Sequence, residues 1–235
     1  MIIYKEPIDI ELIDNRLFVN GKEHPPSVRT LDNMQDVLEG SKLTVQGSLP
    51  LYYMYRAVYQ HKTLRYDITH LTANLIGSEY TKTYGHYHPP SPDGIAYPEA
   101  YQVLSGNARF MLQKKNSDGT MNVIAINAEE KETVIFPPAY GHVSINPTNK
   151  DLVLANIVSN SFEGDYSEYK VKRGAAYYYT KEGFVENKNY KIKSFEQLSA
   201  GEINKKYNFE CKDLLSEFYK NPERFEFLER PGLKF

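Results

Sequence analysis

The sequence has no tryptophan, a single cysteine and no apolar run long enough to cross a membrane. One thiol, Cys211, excludes an internal disulfide framework and fits a reducing compartment. The opening MIIYKEPIDIELID carries charge where a secretion signal needs an unbroken apolar stretch, so a cytoplasmic chain without a membrane partner is expected. Excess charge of one sign is lacking too. Lys and Arg total 28 against 30 Asp and Glu, and no basic field points to a nucleic-acid partner. What is plentiful is tyrosine, with 20 residues among 235, a residue that favours strands and offers a hydroxyl to polar ligands.

The length suits one sizeable core with decorated ends. Residues 1–50 read as an arm of short β-prone pieces, with Asn20-Gly21 as a hairpin turn and a short helix near 29–38 that Thr30 or Asp32 caps. Residues 51–180 read as a β-barrel. LYYMYRAVYQ alternates from Leu51, placing Tyr53 and Tyr55 on one side, and further strands are expected at 64–74, 79–88, 99–104, 108–114, 121–126, 132–136, 142–146 and 152–159. Many short strands with turn chemistry between them suggest a sandwich or small barrel rather than βαβ units. Residues 181–235 read as a helical extension packed on the barrel or against a second subunit. Ser194 and Gln197 have capping-box spacing, and Cys211, Leu214, Leu215 and Phe218 fall on one helical face. Asn221-Pro222 stops that helix and can start another.

The chemistry concentrates in TKTYGHYHPPSPDGIAYPEAYQVLSG, residues 81–106. His86 and His88, two apart on an extended segment, project to one face. Glu99 follows on the next strand, beyond a proline-rich loop, and His142 opens a later one. Three imidazoles and a carboxylate suit Fe, Ni, Zn or Mn at a site with open coordination positions. His61 and His70 lack partners at ligand spacing and are expected on the surface or in loops, and Glu79 is expected to be a solvated strand residue.

The His-x-His, the later glutamate and the His-x-x-x-Asn from His142 to Asn146 resemble the two motifs of the cupin superfamily. Within it, the chain is similar to the cupin-type phosphoglucose isomerases best known from archaea. The shared features are Thr83, Gly85, His86 and His88; Glu99 with Tyr101; Thr69 before Gly77 and Glu79; Pro137-Pro138 before His142; and Asp165-Tyr166. The resemblance spans about 51–174. It implies a mainly β cupin barrel (a double-stranded β-helix, or jelly roll) with an N-terminal β arm and C-terminal helices. It also implies one divalent transition-metal ion per subunit on His86, His88, Glu99 and His142, with iron the first choice, and a homodimer. Two features depart from the family. The interval before Glu99 is longer, and Val158 stands where members tend to have a tyrosine that contacts the phosphate, leaving Tyr166 or Tyr53 to make that contact.

The implied reaction interconverts glucose 6-phosphate and fructose 6-phosphate. Hydrogen moves between C1 and C2 while charge builds on O1 and O2, which a divalent metal stabilises as a Lewis acid. Glu99 is the candidate proton carrier, and a hydride shift is the rival route if Glu99 stays on the metal. The sugar phosphate is expected to meet Thr69, Thr83 and the Gly85 N–H at its phosphate, with Tyr53, Tyr101 and Tyr166 walling the sugar. Another metal-dependent cupin enzyme, an oxygenase or decarboxylase, and a non-catalytic sugar-phosphate-binding cupin are the alternatives, because one barrel hosts many chemistries.

Overall fold

The structure is a computed structural model that describes residues 1–40 and 48–233; part of the expected 1–50 arm, residues 41–47, lies outside the described residues. An antiparallel meander opens the chain: β1 (Ile2–Tyr4), β2 (Ile10–Ile13), β3 (Arg16–Val19) and β4 (Lys22–His24). Asn20 and Gly21 both take positive φ between β3 and β4, as an Asn-Gly hairpin requires. Next come β5 (Ser27–Thr30), α1 (Leu31–Met34) with Thr30 at its N-cap, and the long strand β6 (Pro50–His61).

The barrel strands then follow: β7 (Leu64–Leu71), β8 (Leu75–Ile76), β9 (Glu79–Tyr80), β10 (Glu99–Ser105), β11 (Ala108–Lys115), β12 (Met121–Ala128), β13 (Thr133–Phe136), β14 (Gly141–Ile145) and β15 (Leu152–Ser159). After α2 (Ser167–Val171) come β16 (Tyr177–Thr180), β17 (Gly183–Glu186), β18 (Ile192–Ser199), α3 (Ala200–Lys206) and α4 (Leu214–Lys220). A six-stranded sheet, β13-β10-β15-β7-β6-β5, packs through a shared core with a four-stranded one, β14-β11-β12-β18, and a small sheet, β17-β16-β9-β8, flanks them. This is the expected cupin barrel.

Both faces of the six-stranded sheet are buried, which is why β15 reads LVLANIVS with no polar alternation. Its inward residues, among them Tyr52, Leu71, Tyr101, Val103 and Leu154, join the barrel core with Phe110 and Leu112. Its outward residues, among them Tyr55, Tyr66, Ile68, Ala155 and Ile157, meet Leu17 of the meander and Leu214, Leu215 and Phe218 of α4. Each such fully buried side chain contributes about 1.5–3 kcal/mol. The arm and the C-terminal helices therefore close the second face of a barrel sheet.

Several expectations are corrected. The segment 181–235 is not wholly helical: it begins with β17 and β18, and β18 pairs parallel to β12. That pairing holds Ser194 and Gln197 in a strand, and the capping box is instead Ser199 with Glu202, at the start of α3. The 79–88 strand keeps a ladder only at β9, and its remainder is tied to β14 by single bridges, Lys82 to Ile145 and His86 to His142. Gly85, at φ +88°, interrupts it, and a Cβ there would lie 2.4 Å from the Tyr169 ring. His70 is buried at 3% exposure on β7 and bonds Asp151 at 2.8 Å. Glu79 is buried too, paired with the buried Lys82.

Candidate metal centre

Four side chains from three segments converge. His86 and His142 exchange backbone hydrogen bonds, at 3.3 and 3.0 Å, so the irregular segment and β14 set their imidazoles side by side. His88, two residues on, returns to the same face, its Nε2 lying 3.2 Å from that of His86. Glu99, the first residue of β10, reaches in with Oε2 at 3.2 Å from His142 Nε2 and 3.4 Å from His88 Nε2. One ligand atom from each of the four lies within 4.8 Å of all the others.

Neighbours fix the orientation of these groups. His88 Nδ1 sits 2.8 Å from the Tyr97 carbonyl, an acceptor only, so Nδ1 carries the proton and Nε2 presents a lone pair. Tyr97 belongs to the proline-rich loop, so the long interval before Glu99 folds back to position a histidine. Asn156 of β15 donates to Glu99 Oε1 at 2.7 Å, leaving Oε2 for the imidazoles. Gly164 closes over His86, and a Cβ there would stand 2.4 Å from the ring. Phe162 covers His88, with ring centroids 4.5 Å apart.

Burial, with the charges of the neighbouring histidines adding to it, pushes His86 well below the ordinary histidine range. Burial likewise lowers His88 to about 4, against the opposing pull of Glu99. Burial alone would raise the Glu99 carboxyl, but the close approach of His142 and His88 brings it below its usual range. Glu99 is thus an ionised carboxylate beside His86 and His88, two imidazoles that resist protonation. Glu99 Oε2 and His142 Nε2 are buried without a hydrogen-bond partner. Buried polar atoms normally find partners, and a cation bound by lone pairs satisfies both. These residues can hold a metal ion.

The cluster opens on a cavity of about 560 Å³ lined by Thr69, Tyr101 and Tyr166, with Met54, Asp67, Val158, Phe162 and Glu163. Three expected substrate contacts are not among its lining residues. Tyr53 lies on the outward face of β6, stacked on His70 at 5.8 Å, because the pleat turns its neighbours Tyr52 and Met54 inward. Thr83 accepts the Ser144 amide at 3.0 Å, and Gly85 is pressed against Tyr169 and Val143. The lining holds what sequence reasoning missed: Arg29, Arg56 and Arg65, with Asn156. These lie far apart in the chain, and only the parity of β5, β6, β7 and β15 gathers them.

The family model described as Glucose-6-phosphate isomerase (GPI) matches residues 54–195. No curated protein matches the chain. Among solved structures, it is similar to a conserved protein of unknown function from Streptococcus pyogenes, at 12% identity and TM-score 0.32 over 48% of this chain and 76% of that one. It is also similar to oxalate decarboxylase from Lactobacillus farciminis, at 16% identity and TM-score 0.36 over 48% of this chain and 30% of that one. For oxalate decarboxylase from Bacillus subtilis the figures are 21% identity and TM-score 0.34 over 48% and 26%. The chain spans about a third or less of those decarboxylases, and similarity at this level carries no assignment of activity. Among the described residues, no helix is long and apolar enough to cross a membrane.

Proposed function

The chain belongs to the glucose-6-phosphate isomerase family, and from that premise we propose that it interconverts glucose 6-phosphate and fructose 6-phosphate with one divalent metal ion, iron first, held by His86, His88, Glu99 and His142. The observation that carries the reading is the pair of partnerless buried atoms, Glu99 Oε2 and His142 Nε2, in a cluster whose His86, His88 and Glu99 line a cavity of about 560 Å³. That is room for a phosphorylated hexose and several times what a two-carbon dicarboxylate needs.

The ion would act as a Lewis acid toward the substrate's O1 and O2. The protein's own groups divide the remaining work. Asn156 and the Tyr97 carbonyl hold Glu99 and His88 in place, and Phe162 and Gly164 shield the imidazoles from water. Tyr101, Tyr166 and Thr69 offer hydroxyls to the sugar. Glu99 is poorly suited to carry the proton: Asn156 holds Oε1, and Oε2 faces the imidazoles. Transfer of hydride from C2 to C1, with its bonding electron pair and with the O2 proton passing to O1 as C2 becomes the carbonyl, fits better.

A coupled assay on fructose 6-phosphate, before and after chelation and with metal restored, tests the activity. Elemental analysis of the purified protein tests the choice of iron. Turnover that disappears on chelation and returns with the ion is expected; none in the metal-loaded protein overturns the reading. In deuterated water, product without solvent deuterium at C1 or C2 supports the hydride route, and incorporation restores Glu99 as carrier.

A further inference from the structure

The inward row of the six-stranded sheet changes character across its width. β10 and β15 present Glu99, Tyr101, Asn156 and Val158 to the cavity, while β7, β6 and β5 present Arg65, Arg56 and Arg29. Three arginines on adjacent strands, facing one cavity, form a local cationic wall in a chain whose net charge is −2. Arg65 is held by Asp67, whose Oδ2 accepts from Nε at 2.8 Å while Oδ1 accepts the Ala57 amide at 2.7 Å. Only Nε is used, so the terminal nitrogens of Arg65 have no protein partner among the described residues. Arg56 is exposed and makes one weak side-chain contact, with Met54 Sδ at 3.8 Å.

Charge counting gives the ligand class. The three arginines offset Asp67, Glu99 and Glu163 on the cavity wall. A divalent cation on the imidazole cluster then leaves two positive charges in excess. A phosphate monoester, with its second pKa near 6, carries about two negative charges at neutral pH. The guanidinium fork also matches phosphate oxygens in geometry.

We propose that Arg29, Arg56 and Arg65 form the phosphate subsite of this cavity, in place of Thr83 and Gly85. The subsite rests on the isomerase reading for the identity of the sugar and not for the anion, since an arginine wall selects phosphate whatever happens at the metal. A substrate so held spans the inward face from β5 to β10, with its reactive end toward His86 and Glu99.

The test titrates inorganic phosphate and then fructose 6-phosphate into the full-length protein, zinc-loaded for phosphorus NMR and iron-loaded for the isomerase assay. The variants are Arg56→Gln and the pair Arg65→Gln with Asp67→Asn, which removes both members of a buried ion pair together. A charge-assisted hydrogen bond is worth about ten- to a hundredfold in affinity. Phosphate binding should weaken by about tenfold or more in each, and KM should rise with kcat largely kept. Where the paired variant does not fold, Arg56→Gln decides, because that side chain is exposed. Affinity unchanged in the variants, or no phosphate binding in the parent protein, overturns the subsite. Isomerase turnover with a KM indifferent to the arginines overturns the subsite and keeps the isomerase reading. Phosphate binding that falls in the variants of a protein without turnover does the reverse.

Discussion

Glu79 and Glu99 are both buried, at 1% and 3% exposure, and lie on connected parts of one barrel. Their surroundings differ in kind. Glu79 is closed: one oxygen pairs with Lys82 and the other accepts the Glu39 amide at 2.9 Å. Lys82 in turn donates to the Val37 carbonyl at 2.6 Å and lies over the Tyr178 ring. This pair pins the segment after α1 to the barrel. Glu99 is open: one oxygen takes Asn156, and the other faces the Nε2 atoms of His88 and His142 without a hydrogen-bond partner. A buried carboxylate supplied with donors belongs to the fold, whereas one set among lone pairs is waiting for a cation.

The sharpest way to break this contrast is to remove a lone pair from the open cluster. His88→Ala should lose bound metal by elemental analysis and isomerase activity with it, while the far-ultraviolet circular dichroism stays that of the parent. Activity surviving without metal would leave the cluster without its proposed role. The closed cluster should respond in the opposite sense. Lys82→Met leaves Glu79 buried without its counter-charge, a change that costs about 3–5 kcal/mol. Denaturant unfolding should show that loss, with metal content per folded molecule unchanged. Loss of metal alongside stability would mean that the two glutamates form one unit.

The same contrast shows what a sequence makes legible. His86, His88 and Glu99 were readable because ligand spacing is local, and His142 because it opens an apolar strand. Strand positions were readable from turn chemistry such as Asn20-Gly21. Faces were harder. Both sides of the six-stranded sheet are buried, so alternation could not say that Tyr52 and Met54 point inward and Tyr53 outward. The arginines carried no local signal, since Arg29, Arg56 and Arg65 meet only through cross-strand pairing. A glycine beside the histidines suggests a backbone N–H open to a phosphate, but at Gly85 the missing side chain makes room for Tyr169. The Glu79–Lys82 pair escaped because a charged strand residue is ordinarily solvated.

A smaller effect should come from Asn156, which holds Glu99 without being a candidate ligand itself. Asn156→Ala frees Oε1 and lets the carboxylate rotate. Losing such an orienting partner typically costs about 10–100-fold in metal affinity. Competition against a chelator of known affinity measures this, and an unchanged affinity would mean that the imidazoles alone position the ion.

The remaining test is the acid response of the metal-free protein. His88 is lowered from 6.5 to about 4 by burial, and burial lowers His86 well below the ordinary histidine range too. Between those limits the unfolded chain binds protons that the folded protein refuses, so stability is fully present above pH 6.5 and falls as the pH drops toward 4. Each histidine contributes up to about 1.4 kcal/mol per pH unit. The Glu99 carboxyl, being lowered from 4.5, adds its own loss only below that value. Urea unfolding of the chelated protein from pH 7 to pH 5 should show this slope, reduced in His88→Ala. Lys82→Met should keep the histidine part of it, set against an opposing trend from Glu79, whose carboxyl burial raises and Lys82 draws down, so that protonating it on acidification relieves the variant. A slope that vanishes in Lys82→Met but survives in His88→Ala would reverse the assignment of the two buried glutamates.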